Sequence, residues 1–288
     1  MTITQLLVFS KVIETGSFTK AGEMLNMTQS AVSHAIAGLE SELGVPLIIR
    51  DKKRGLILSN LGMRILKPTK EVLNNLYIIK QEAAAEKGLE AGTIRVGSFP
   101  STTARLLPKM IGTFKKLYPQ IEVVLFEGTD YEVSEWVRNG IIDMGFIAKL
   151  NWDESIIPIT RDKMVAVLSK YHPFSNYQAI PVEMLADSPF IMPTGGCELI
   201  IREIFESSGF SLNIQFQVRE LTTILNMVKE GLGVTVIPEF ALPDSLPAVV
   251  VRELEPAIWR HIGLRCPSTD ESSPAAQRFI SIGQSLFM

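Results

Sequence analysis

GSFTKAGEMLNMTQSAVSHAIAGLESEL, residues 16–43, reads as two short helices joined by a tight polar turn. Ser17 caps the first, whose apolar positions are Phe18, Ala21, Met24 and Leu25. Thr28 is a natural N-cap for the second, with Met27 before it and Val32 placed to close a hydrophobic staple. Val32, Ile36, Leu39 and Leu43 then recur at helical spacing and predict one buried stripe. The opposite face carries Ser30, His34 and Ala37, flanked by Ser33, with Gln29 at the N-terminal tip. A helix that only meets water more often fills such a face with Glu and Lys. Small, hydrogen-bonding side chains suit close approach to base edges and phosphates in a major groove. Thr28, Gln29, Ser30, Ser33 and His34 are therefore the candidates for DNA contact, although His34 reads equally well as a surface residue.

The following residues extend the pattern. Val45–Arg50 predicts a strand, Asp51–Gly55 a cationic turn and Leu56–Leu58 a returning strand. Lys52, Lys53 and Arg54 at the tip fit a wing lying along phosphate or in the minor groove. Arg50 joins them or pins the wing. Such a charge run alone is usually a solvated turn; behind a helix with a bare polar face, the wing is the better reading.

Charge is distributed accordingly. The net charge of −3 looks wrong for a DNA binder, but residues 1–70 hold nine Lys and Arg against five Asp and Glu. The remainder holds nineteen against twenty-six. A local basic patch on an acidic chain implies affinity that falls steeply with salt. At 288 residues the chain is long enough for two or three domains. No apolar run is long enough to span a bilayer. The N-terminus resembles a short amphipathic helix interrupted by Lys11 and Glu14, not an export signal, so a cytoplasmic location is expected. Cys197 and Cys266 are too few for a disulfide framework and read as two reduced thiols.

Ser59–Glu90 predicts a long helix capped by Ser59, with Leu61, Ile65, Leu66, Val72, Leu73, Leu76 and Ile79 as its apolar stripe and Pro68 as a kink or irregular turn. Gly88 and Gly92 mark its stop and a linker. A long one-striped helix between domains is expected to pair with its own copy. From Thr93 the pattern alternates. Strands are expected at 93–98, 122–126, 142–148, 163–169, 190–192, 214–218, 234–238 and 258–265. Helices are expected at 103–117, 131–138, 182–186, 198–207, 221–230 and 275–286. This alternation predicts parallel-type α/β sheets with helices on both faces.

The run FSKVIETGSFTKAGEMLNMTQSAVSHAIAGLESELGVPLIIR (9–50), followed in order by TIRVGS, DMGFIA and GLGVTVIP, resembles a LysR-type transcriptional regulator over its full length. Ile48 and Gly38 depart mildly from the family pattern. The resemblance implies a fold of class α/β: an N-terminal all-α winged helix-turn-helix (1–58), a dimerising linker helix (59–91) and a C-terminal bilobal, periplasmic-binding-protein-like effector domain (92–288). Lobe I would comprise 92–160 and 268–288, and lobe II 161–267, with crossing strands near Ile159–Lys163 and Leu264–Pro267. It also implies promoter DNA, RNA polymerase and a homodimer or homotetramer as partners.

Open α/β sheets bind ligands at the carboxyl ends of strands, where helix N-termini present free N–H groups. After strand 93–98 stand Ser98, Ser101, Thr102 and Thr103; after strand 190–192 stand Thr194, Gly195, Gly196 and Cys197. These two hydroxyl-lined helix starts are expected to clamp one small effector, with Thr129, Phe146, Ile147 and Thr222 as further wall residues. The helix dipole favours an anion such as a carboxylate, although Ser and Thr there are also ordinary N-caps. Whether Arg105, Arg202 or Arg219 neutralises it is left open. No cofactor or metal is expected. The three histidines lack a nucleophile or metal-ligand pattern around them, and there is no HExxH, P-loop, GxSxG or CxxC, which argues against an enzyme. A solute receptor of the bilobal fold would need an export signal. A purely structural dimer would leave the polar helix face and basic turn unexplained.

Overall fold

The structure, a computed structural model, describes residues 1–51, 55–86, 92–151, 153–266 and 273–288. It divides into two compact units, Met1–Gly88 with Asn139–Ile141, and Leu89–Arg138 with Ile142–Met288.

In the first unit, α1 (Ile3–Thr15) starts with a capping box between Thr2 and Gln5. It runs unbroken through Lys11 and Glu14, contrary to expectation, because these two pair with each other at 2.7 Å while Leu6, Val8, Phe9 and Val12 are buried. α2 (Phe18–Leu25) is capped by Ser17 and α3 (Gln29–Leu43) by Thr28, whose Oγ1 accepts from the Ala31 N–H at 3.2 Å. The turn between them is tight. A Cβ on Gly22 would stand 2.6 Å from the Met27 carbonyl oxygen, so glycine is required there. Gly38 also has a packing reason, since a Cβ would approach Gln5 Nε2 to 2.9 Å where α1 crosses α3. Phe9, Val12, Ala21, Val32, Ile36 and Leu39 form the core with Leu47. Met24 and Leu43, expected on the buried faces, are exposed, since each falls at a helix end beyond the reach of that small core.

β1 (Ile48–Asp51) and β2 (Gly55–Leu58) pair antiparallel, from Ile48 opposite Leu58 to Asp51 opposite Gly55. The first strand starts later than Val45 because the Leu47 and Ile48 N–H groups donate to the Glu40 carboxylate instead. α4 (Asn60–Glu86) continues through Pro68 as one helix. Proline removes one intrahelical bond. Packing of Leu61, Ile65, Leu66 and Leu73 on the core holds the turns on both sides of it. Val72 and Ile79 of the stripe remain exposed.

The second unit contains, in order, β3 (Gly92–Ser98), α5 (Pro100–Arg105), α6 (Leu107–Leu117), β4 (Ile121–Glu127), α7 (Asp130–Arg138), β5 (Met144–Lys149) and β6 (Ile157–Ser169). There follow β7 (Ala179–Pro181), α8 (Val182–Ala186), β8 (Phe190–Pro193), α9 (Glu198–Ser207), β9 (Ile214–Val218), α10 (Leu221–Lys229), β10 (Thr235–Pro238), β11 (Val249–Arg265) and α11 (Pro274–Phe287). The main sheet has the order β10-β6-β11-β5-β3-β4, with β7 beside β11. β8 and β9 form a parallel pair linked to the chain before β10 by a bridge between Phe190 and Val234.

Three sequence expectations change here. The sheet is mixed rather than parallel: β3, β4 and β5 run parallel, but β11 is antiparallel to both β5 and β6. The single helix expected at 103–117 is two, because Pro108 cannot donate to the Ala104 carbonyl. The two long strands extend well before their apolar runs, since Pro158, Asp162 and Pro256 mask their beginnings in sequence. β11 leaves regular register with β6 between Glu253 and Ile258 and pairs with β5 from His261 to Arg265. Thr160–Lys163 of β6 thus lies opposite Trp259–Ile262 of β11, and Leu264 pairs with both β5 and β6.

Candidate functional site

The outer face of α3 is built from short polar side chains that bond to one another and, at Thr28, to the helix N-terminus. Thr28 Oγ1 and Ser30 Oγ lie 2.9 Å apart, and Gln29 Nε2 donates to Ser33 Oγ at 2.8 Å. Thr28, Gln29, Ser30, His34 and Ala37 are exposed and Ser33 is half-buried. The face is thus narrow, free of long charged chains, and placed at the helix N-terminus, where the dipole favours phosphate. Arg50 lies in β1 opposite Leu56. Lys52, Lys53 and Arg54 lie outside the described residues.

In the second unit a cleft of about 420 Å³ opens where α5, α7, α9 and α10 begin. Ser101, Thr129, Gly195, Gly196 and Cys197 line it, together with Phe99, Asp130, Arg219 and Arg260. Gly196 holds a φ of +125° that side chains rarely adopt, which keeps this wall bare of a Cβ. Thr129 forms a capping box for α7: its Oγ1 accepts from the Glu132 N–H at 3.2 Å while its own N–H donates to Glu132 at 2.7 Å. Its hydroxyl is accordingly engaged in ending the helix.

The other residues expected at this site do not line it. Ser98, Thr102, Phe146 and Ile147 are buried, since β3, α5 and β5 turn these positions into the packed interior. Thr103, half-buried on α5, is not among the residues that line the cleft. Thr194 is held outside by its N–H bond to the Val218 carbonyl, and Thr222 is exposed on α10. Of the three arginines left open, Arg105 is tied to Asp244 and the Phe240 and Leu242 carbonyls, and Arg202 to Glu198; Arg219 lines the cleft.

The dominant cation was missed. Arg260 is 1% exposed and lines the cleft. Its Nε and Nη2 donate to Asp162 Oδ2 at 3.1 and 2.7 Å, and Nη2 also donates to Ser101 Oγ at 2.8 Å. The guanidinium lies 5.0 Å from the centre of the Phe99 ring. Nη1 takes no part in these bonds. Asp162 in turn accepts from the Phe240 N–H at 3.1 Å. Burial raises the Asp162 carboxyl above its ordinary range, against the opposing pull of Arg260. Asp130 is pushed up to about 6, mainly by burial, and Cys197 up to about 11 for the same reason. A thiol so shifted is a poor nucleophile near neutral pH.

The N-terminal unit matches the model of the bacterial regulatory helix-turn-helix protein, lysR family, over residues 3–63, and residues 87–286 match the LysR substrate binding domain. The chain belongs to the LysR family. It is a LysR-type transcriptional regulator with a DNA-binding helix-turn-helix and an effector-binding domain. The chain is 45% identical to the uncharacterized HTH-type transcriptional regulator YvbU of Bacillus subtilis, covering 100% of this chain and 99% of the relative. It is 32% identical to the probable HTH-type transcriptional regulator LrrA of Synechococcus elongatus, over 98% and 96% of the two chains. Its fold is similar to that of a cysteine variant of full-length OxyR from Pseudomonas aeruginosa, with a TM-score of 0.79 at 24% identity over 100% and 95% of the chains. CbnR, solved in complex with its target DNA, matches with a TM-score of 0.65 at 20% identity over 99% of each chain.

In this LysR-type regulator Arg260 escaped the sequence reading because it sits in a strand, Ile258–Arg265, that was judged only for its apolar content. A sequence signal did exist. Asp162 and Arg260 are opposite charges, the first inside the expected crossing Ile159–Lys163 and the second four residues before the expected crossing Leu264–Pro267.

Proposed function

We propose that α3 enters the major groove of promoter DNA through Thr28, Gln29, Ser30, Ser33 and His34. Arg50, Lys52, Lys53 and Arg54 follow the phosphates beside it. The cleft binds a small effector carrying an anionic group, which Arg260 and Ser101 receive. The observation that carries this reading is the buried guanidinium of Arg260, held in place by Asp162 with Nη1 left over for a ligand. Ser101 accepts from Arg260 and retains its own proton for the same anion. Occupancy changes the angle between the lobes, and this change alters promoter binding, bending and contact with RNA polymerase. The exposed Val72 and Ile79 on α4 support pairing with a second copy, and the regulator works as a homodimer or homotetramer in the cytoplasm.

A melting screen of the full chain against small carboxylates, amino acids and aromatic acids tests the ligand site. A ligand at a hundred times its dissociation constant raises stability by about 2.7 kcal/mol. The anionic reading fails if neutral compounds shift the melt and no carboxylate does.

A further inference from the structure

The acids of the cleft wall say more about the ligand than the cation does. Arg260 is already balanced by Asp162 from behind, at 2.7 Å. The lining itself carries Asp130, Glu127 and Glu220 against Arg260 and Arg219. Asp130 opens α7, and its Oδ1 accepts from the Ala148 N–H at 3.2 Å. Its Oδ2 makes no such bond and faces the bare backbone of Gly196, where an added Cβ would come to 3.9 Å. A ligand filling this space meets a carboxyl that burial has already largely desolvated. A simple carboxylate would then set a second anion beside Asp130, whose neighbouring cation Arg260 is already balanced by Asp162, an arrangement that costs heavily when desolvated.

Resting on the ligand site proposed above, we infer that the effector is a small zwitterion of the amino-acid class. Its carboxylate meets Arg260 and Ser101, and its ammonium meets Asp130 Oδ2. The charged and titratable groups facing Asp130 are Arg260 from β11, Lys149 from β5 and Cys197 ahead of α9. Glu127 and Glu220 also line the cleft, but neither is among the groups that act on Asp130. With its carboxyl pushed up to about 6, Asp130 is ionised at neutral pH and becomes protonated on mild acidification.

The test is titration calorimetry on the full chain. The probes are the proteinogenic L-amino acids, each beside the carboxylic acid lacking its amino group, at pH values on either side of about 6. One amino acid is expected to bind about tenfold or more tighter than its deaminated acid, the scale of one charge-assisted bond. Asp130→Asn keeps the Oδ1 acceptor for Ala148, so the fold is retained. It should lose that advantage by binding the amino acid more weakly and the deaminated acid more tightly than the parent does, since the second anion is gone. Affinity for the amino acid should fall as the pH drops below about 6. A deaminated acid that binds as tightly as its parent above a pH of about 6 makes Asp130 a proton donor to an anion. That result overturns the zwitterion and leaves the ligand site standing. If neither class binds, the ligand site proposed above fails and the zwitterion with it.

Discussion

At the start of α3, Thr28, Gln29, Ser30 and His34 stand exposed, and the hydroxyls among them bond only to near neighbours. In the cleft, Arg260 is 1% exposed and fixed by two side chains from distant parts of the chain. The two surfaces meet opposite demands. A groove-reading face meets a long, hydrated polyanion, so it needs reach and little preorganisation, and its residues come from one helix turn. A ligand cleft must hold a desolvated charge in one place, which requires a counter-ion underneath. The first kind of surface is therefore written locally in sequence and the second is not.

The comparison can be broken most forcefully at Asp162. Asp162→Ala strands Arg260 as a buried, unpaired charge and is expected to destabilise the second unit by about 3–5 kcal/mol. Denaturant unfolding of the full chain checks this, and a change under about 1 kcal/mol would show that the pair is not preorganised by burial. Next comes the pH dependence of Asp130. Its folded value of about 6 lies above the ordinary 3.8, so the native state holds the proton more tightly than the unfolded chain. The associated stability is present below the unfolded value and is lost as pH rises through about 6. Asp130→Asn should therefore match the parent near the lower value and exceed it above the higher one, by up to about 3 kcal/mol. Equal melting curves at both ends would remove this cost from the cleft.

On the DNA side, Ser30→Glu leaves the exposed first turn of α3 intact, since acids are welcome at a helix N-terminus. It should weaken promoter binding by about 1–3 kcal/mol. Unchanged binding would move the groove contact to another face. The smallest effects form a matched pair. Thr28→Ala and Thr129→Ala each remove a cap and should each cost about 1 kcal/mol of stability. The first should also reduce DNA affinity, whereas the second should leave ligand affinity unchanged.

The sequence made the helix-turn-helix legible down to its caps, because Ser17, Thr28, the Val32–Ile36–Leu39 stripe and the polar face all fall within one short segment. Strands and helices such as Glu198–Ser207 and Ile214–Val218 were equally readable, having clean apolar periods and polar boundaries. The cleft was half legible. Thr194–Cys197 follow a strand end by rule, and three of those four residues line the cavity. Phe146 and Ile147 follow no such rule, and the interior claimed them. Arg260 and Asp162 are brought together by strand pairing across nearly a hundred residues, and Asp130 joins them from the start of α7, a non-local fact that no window of sequence contains.

β6 and β11 carry Asp162 and Arg260 at the place where the paired strands pass from one side of the sheet to the other, just after the stretch Leu254–Ala257 drops out of register. An effector held by Arg260, as proposed, would load these two strands directly. Response amplitude and binding strength then become separable by mutation. On that proposal, substitutions in the irregular stretch would alter the response of the strands, and substitutions at Ser101 or Asp130 would alter occupancy.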